Sequence, residues 1–235
     1  MDNEQVSVIA RDILSQIEQN TADESFTRLC AQFDEYGNLE EAMWSLARAL
    51  TPGFCVETCE NRLQMWARQL KRRTSAAISS RERVMELSAY LAGELGFRGN
   101  TENYYSGKNS LIPTVLDTRL GIPITLTLVY MMICRRADLE IEGINLPGHF
   151  IARHEEIFFD PFHKGRILTQ GDCREILSKQ NLPFDGKHLL PASPRQIFIR
   201  VLANLLYVYD LEEDEDNHAK VDRWIKALAA HASLK

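Results

Sequence analysis

Arg119-Leu120-Gly121-Ile122-Pro123-Ile124-Thr125-Leu126-Thr127-Leu128-Val129-Tyr130-Met131-Met132-Ile133-Cys134 is the stretch on which the fold turns. Proline is accepted at the first helical position, because the N–H it lacks has no intrahelical partner there. A helix is therefore predicted to start at Pro123. From Ile124 to Cys134 it has no polar face, and a helix apolar on all sides belongs in the middle of a fold. The flanking elements must then be arranged to cover it.

Upstream the chain reads as helices. Val6, Ile9, Ile13 and Ile17 recur at helical spacing. A second helix is expected from about Asp23 to Phe33, with a break at Tyr36-Gly37-Asn38. Asn38 is a good N-cap for a third, which has Glu40 and Glu41 in its first turn. That helix carries Leu39, Met43, Leu46 and Leu50 on one face and stops before Pro52-Gly53. A fourth covers about Val56 to Arg73, striped by Cys59, Leu63, Trp66 and Leu70, with Lys71-Arg72-Arg73 suiting its carbonyl end. Ser79 and Glu82 form a capping box for a fifth, striped by Val84, Leu87, Leu91 and Leu95 and closed by Gly96. Trp44, Trp66 and Trp224 fall on helical stripes and are read as core.

Arg98 to Ser110 is a polar loop rich in Asn and Gly, the kind of segment in which function tends to sit. A short helix from about Pro113 to Arg119 leads into the central one. Past Asp138 the hydrophobic period drops toward two. Ile144 and Leu146 alternate with Asn145, His149, Ile151 and Arg153 alternate with Phe150 and Ala152, and Ile157 to Asp160 follows. Phe158, Phe159 and Phe162 are expected to pack this sheet on the central helix. Helices then return, with Asp172 as one cap and Ser193-Pro194-Arg195-Gln196 as a strong start for another. The acidic run Glu212 to Asp216 reads as a solvated loop before the last helix. No repeat defines a solenoid. Helices, then a small antiparallel sheet, then helices make the class α+β.

Composition sets outer limits. Of 235 residues, 45% are hydrophobic and 26% charged, which is ordinary for a globular chain. The net charge of −6 argues against a general nucleic-acid binder, since phosphate contacts need clustered Lys and Arg. No apolar run approaches the roughly 20 residues that span a bilayer, and the start lacks the basic and apolar regions of a signal peptide. Cys30, Cys55, Cys59, Cys134 and Cys173 are odd in number and irregularly spaced, so free thiols and a cytoplasmic location are expected, with no membrane association.

The strand pattern also suggests chemistry. If a hairpin turns at His154-Glu155, Arg153 pairs with Glu156, Ile151 with Phe158 and His149 with Asp160. Opposed residues share a face, and a carboxylate there can hold one imidazole nitrogen while the other stays free for proton transfer. The plain alternative is a structural hydrogen bond. A metal set of His149, Asp160 and His163 is set aside because it lacks an HxxxH or CxxC spacing; no metal and no cofactor are expected.

Asn103-Tyr104-Tyr105, Asn109-Ser110, Val115-Leu116, Arg119 to Leu126, Pro147-Gly148-His149-Phe150 and Asp160-Pro161-Phe162 resemble the bacterial SirB/YchA proteins of the transglutaminase-like superfamily. Ser193-Pro194-Arg195-Gln196-Ile197 and Asn204-Leu205 resemble the helical, tetratricopeptide-like tail of that group, here short for a full repeat array. The resemblance runs from about Leu39 to near the C-terminus. It implies a papain/transglutaminase-like core: a central buried helix packed on a small antiparallel sheet. The domains expected are 1–37, an N-terminal helical extension; 38–97, a helical subdomain; 98–170, the core; and 171–235, a helical tail.

In catalytic members a Cys opens the central helix and faces a His that an Asp orients. The resemblance places the His at His149, the Asp at Asp160 and the Cys position at Pro123, where no nucleophile stands; Gly-Ile-Pro is usual in this branch. Cys134 lies about three turns further along, too far away. The first functional reading is a non-catalytic module that binds a protein partner, with Asn103, Tyr104, Tyr105, Asn109, Ser110 and Thr125 lining the recognition surface. The second is a hydrolase or acyl transferase in which His149 and Asp160 activate water or a hydroxyl such as Thr125 or Ser110. A third, a redox or metal pair of Cys55 and Cys59 on one helix face, is weaker than the reading of both as core residues.

Overall fold

A computed structural model describes residues 3–33, 38–51 and 53–230. The helix read from its all-round apolarity runs Pro123–Arg136 and is labelled α6 in chain order. All of its residues except Met131, Arg135 and Arg136 are buried. Pro123 holds the first helical position, and Ile122 before it is extended, with φ −90° and ψ 166°. Ile122 has no capping oxygen. The Thr125 hydroxyl instead accepts the Ile122 N–H at 3.2 Å, which closes the first turn.

The surrounding elements cover α6 from different sides. α1 (Asn3–Gln32), α2 (Leu39–Leu50), α3 (Val56–Thr74) and α4 (Ser80–Ser88) come first, and a π-turn at Ala89–Glu94 extends α4. β1 (Arg98–Gly99) and β2 (Leu120–Gly121) pair in parallel around α5 (Ile112–Thr118). α3 and α5 pack against α6. β3 (Glu142–Ile144), β4 (Ile151–His154), β5 (Ile157–Asp160) and β6 (Arg166–Leu168) form an antiparallel sheet in that order. Its Ala152 and Phe159 face the main core, and the Phe159 ring lies 6.3 Å from that of Tyr130 on α6. Ile151 and Leu168 face the other way, into a smaller core with Cys173 and Leu177 of α7 (Gln170–Ser178).

α8 (Pro194–Leu211) and α9 (Glu215–Ala230) end the described chain. α1 packs on α9, which joins the first and last described helices. Phe26 of α1 meets the Trp224 ring edge-on at 4.7 Å, and Asp23 accepts the Trp224 indole N–H at 2.8 Å. Among the described residues no helix is long and apolar enough to cross a membrane.

Most helix signals hold. Asn38, Ser79 and Ser193 are N-caps whose side chains accept from Glu41, Glu82 and Gln196, and the three tryptophans are buried. Several expectations are corrected. α1 is one helix, not two, because no Gly or Pro interrupts it between Ile17 and Asp23. Its Ile13 and Ile17 are exposed, and Phe26 and Cys30 bury instead. The Tyr36-Gly37 break, Pro52, and the side chains of Val6 and Ile9 lie outside the described residues. Thr169 caps α7, and Asp172 reciprocates by accepting the Thr169 N–H at 2.8 Å. Glu215 and Asp216 belong to the first turn of α9, where the helix dipole favours anions. Of the three phenylalanines Phe159 and Phe162 pack on the main core, whereas Phe158 packs on the smaller one, because neighbouring strand residues face opposite ways.

One buried carboxylate ties the layers together. Glu40 opens α2 and accepts from both Arg135 and Arg136 at the end of α6. Each helix dipole favours the charge placed at its end. Removing a partner from a buried ion pair leaves its mate uncompensated. Glu40→Ala is therefore expected to cost about 3 kcal/mol, read as a lower urea midpoint with an unchanged slope.

Candidate functional site

The site starts from a hairpin whose register differs from the expected one. The ladder pairs Ala152 with Phe159, Arg153 with Phe158 and His154 with Ile157. The tip is Glu155-Glu156, and Glu155 takes the left-handed conformation at φ 50°. His154 lies inside the strand, buried, with Nδ1 2.8 Å from the Glu140 carbonyl oxygen. The shift amounts to two residues, which leaves every side chain on its original face. His149 and Asp160 thus become diagonal rather than opposed, and long side chains still meet across a diagonal.

His149 is placed by a turn rather than by the ladder. Leu146-Pro147-Gly148-His149 closes with the His149 N–H donating to the Leu146 carbonyl at 3.0 Å. Proline second and a positive-φ residue third is the type II pattern, and Gly148 has φ +77°. From α8, Arg200 holds the entry to this turn by donating to the Asn145 side chain and to the Leu146 carbonyl.

Asp160 ends β5 and is 2% exposed. A buried carboxylate must be satisfied by donors. Oδ1 accepts the backbone N–H groups of Phe162 at 2.9 Å and His163 at 3.3 Å. Oδ2 lies 2.7 Å from His149 Nε2 and 2.7 Å from His163 Nδ1. Burial pushes the Asp160 carboxyl up, but the bonds from His149 and His163 outweigh it and hold the group below the usual carboxylate range. One atom each of His149, Asp160 and His163 therefore lie within 4.8 Å of one another. They border a cavity of about 310 Å³ walled by Asp172 and Glu175 of α7 and by Lys179 just after it.

Aromatic rings lead from this cluster to the polar loop. Phe162 stands edge-on to His149 at 6.1 Å and to Tyr104 at 5.9 Å. Tyr105 meets Tyr104 at 5.2 Å and Tyr207 of α8 at 6.0 Å. Gly99 makes room for this path, because a Cβ there would lie 2.5 Å from the Phe162 ring. The Gly99 N–H donates to the Phe162 carbonyl at 2.9 Å, and the Asn100 N–H donates to Gly121 at 3.0 Å. Through β1 and β2 the cluster is thus connected to the start of α6.

The expected site residues separate into two sets. Tyr104 and Tyr105 are 37% and 56% exposed. Asn109, Ser110 and Thr125 are buried and do not line the surface as expected. Asn109 organises the loop by donating to the carbonyls of Asn103 and Tyr104 at 2.7 and 3.0 Å. Thr125 donates to the Asn109 carbonyl at 2.6 Å. Pro123 is buried, and neither it nor Thr125 lines the His149 cavity. Cys59 is buried as a core residue should be, whereas Cys55 is exposed just before α3, which corrects the reading of both as core. His163 was named only in the metal set that its spacing set aside, although Asp-Pro-Phe-His after a strand carries a signal, since it can turn back on its own carboxylate. Tyr207 was missed and gave no signal.

A family model described as the transglutaminase-like superfamily matches residues 57–203. A UPF0162 protein of Xylella fastidiosa is 33% identical over 155 residues, covering 62% of this chain and 52% of the relative. One from Pseudomonas aeruginosa is 32% identical over 171 residues, covering 71% of this chain and 62% of the relative. Human F-box only protein 21 is 29% identical over 147 residues, covering 55% of this chain and 22% of that protein. The chain thus spans little more than half the length of these bacterial relatives. No solved structure matches it.

Asp160→Asn keeps the shape but turns an acceptor into a donor facing N–H groups. A loss of about 2–3 kcal/mol at neutral pH is expected, measured by denaturant unfolding. Because the folded-state pKa of Asp160 lies below its unfolded value, the carboxylate's contribution is full above the unfolded pKa. It is lost as pH falls through the folded one. The gap between wild type and variant should therefore close on acidification; a gap that widens would contradict the bonding described.

Proposed function

The chain belongs to the transglutaminase-like superfamily, and from that premise we propose that it is a non-catalytic, protein-binding or regulatory module of SirB/YchA type. The start of α6 carries this reading. The catalytic members' cysteine corresponds to Pro123, and the side chains that could replace it are engaged or enclosed. Thr125 is fully buried and bonded to Asn109, and Ser110 is 1% exposed. Cys134 is buried deep in the same helix, and burial pushes its thiol well up, away from the thiolate that attacks. The competing hydrolase or acyl-transferase reading therefore loses its hydroxyl candidates and is left with water activated by His149.

Two further observations support a binding role. Tyr105 and Tyr207 are each more than half exposed and lie in ring contact. Tyrosine supplies large contact area with little conformational freedom to lose, which suits it to interface centres. The homologous core also occurs at widely different fractions of its relatives' lengths, as a portable module does. α8 and α9 correspond in this reading to a short tetratricopeptide-like tail. All five cysteines are free, which supports a cytoplasmic location.

Wild type and Tyr105→Ala/Tyr207→Ala are to be compared by quantitative affinity capture from native lysate, alongside a panel of peptide, amide and ester substrates. The expected outcome is a near-stoichiometric partner that the double variant loses at least tenfold, with no turnover. Turnover that disappears in His149→Ala would overturn the proposal.

A further inference from the structure

We propose that His149 Nε2, Asp160 Oδ2 and His163 Nδ1 form a binding site for one divalent first-row transition-metal ion of the zinc or iron(II) class. The inference goes beyond the binding-module reading and does not depend on it.

The argument begins with how the three donors are fixed. The Phe162 and His163 N–H groups clamp Oδ1 and thereby aim Oδ2 outward. Both imidazole nitrogens then reach that single oxygen, each at 2.7 Å. The donors come from three points in the backbone: the Pro147-Gly148 turn, the end of β5 and the turn after it. Such a set can close on an ion without moving an element of the fold.

The sizes also agree. A tetrahedral ion with donors at about 2.1 Å has donor–donor edges of about 3.4 Å. The two hydrogen-bonded edges need to open by roughly 0.7 Å to match. His163 can supply much of that movement, since its side chain is 61% exposed and sits on a turn. An ion would take the place of the two N–H protons that point at Oδ2, so each neutral ring would change tautomer through solvent and carry its proton on the nitrogen that does not bind the ion.

The donor set selects the class of ion. Two imidazoles and one carboxylate suit zinc, iron(II), cobalt and nickel. Calcium and magnesium prefer all-oxygen surroundings. Three protein donors leave a further coordination position facing the cavity of about 310 Å³. A water or an anionic group of a bound molecule would complete the shell there. Around the cavity, Asp172 and Glu175 offset Arg166 and Lys179, so no excess of cationic charge opposes the ion.

The test uses untagged full-length protein on a Cys55→Ser background, which removes the exposed thiol as a competing ligand. After stripping with chelator and desalting, Co2+ is added and its visible d–d bands are followed, with Zn2+ displacement as the second reading. One equivalent should bind with low-coordinate band intensity, and Zn2+ should displace it. His163→Ala, at an exposed turn position, should fold as judged by circular dichroism and weaken binding by at least about 100-fold. Lys179→Ala should bind like the parent. Absence of saturable uptake would overturn the proposal, as would uptake unchanged in both His163→Ala and His149→Ala. Neither outcome bears on partner capture by the tyrosine surface.

Discussion

A helix without a polar face has to be wrapped, and that requirement on α6 organises the rest of the chain. α3 and α5 cover it from one side, the four-stranded sheet from another and α8 from a third. The one ionic demand at its end, from Arg135 and Arg136, is met by Glu40 of α2. The sheet in turn is apolar on both faces. It turns Ala152 and Phe159 inward to α6, and Ile151 and Leu168 outward to α7. The candidate site follows from this second packing, because Asp160 ends a strand that α7 partly covers. The result is a cavity rather than open surface.

Within that cavity the buried carboxylate is the centre of the chemistry. Among the described residues Asp160 has no lysine or arginine partner and is satisfied by two backbone N–H groups and two imidazoles. That arrangement has consequences in opposite directions. It holds one ring nitrogen of His149, while α6 opens on Pro123, which has no nucleophile. It also brings a second histidine to the same oxygen, which a bare catalytic pair does not require. The aromatic path from Phe162 to Tyr207 links this cluster to the outer surface.

Much of this was legible in the residues because it was local. Pro123, Ser193-Pro194 and Asn38 announce helices through backbone chemistry that acts within one turn. The His149–Asp160 pair was also legible, although for an imperfect reason. The polar His154 suggested the hairpin tip, yet its ring is buried and its Nδ1 bonds to the Glu140 carbonyl, moving the tip to Glu155-Glu156. His149 lies before the ladder, and the Leu146–His149 turn carries its ring to Asp160 despite the two-residue error in register. The burial of Asn109 and Thr125 was not legible, because it depends on the loop folding back on the start of α6. The packing of α1 against α9 joins Asp23 to Trp224, and no local signal reports so distant a contact. The family resemblance located the core but said nothing of His163, which lies outside the motifs that carry it.

The shared carboxylate is the claim on which the candidate site stands, and nitrogen-detected NMR of the histidine rings examines it most directly. In chelator-treated protein, the two-bond nitrogen–proton spectrum should show His149 as the Nε2–H tautomer and His163 as the Nδ1–H tautomer. Both N–H protons should be shifted downfield by the bond to Asp160. Rings that average between tautomers, as solvated imidazoles do, or a His149 proton fixed on Nδ1, would contradict the account.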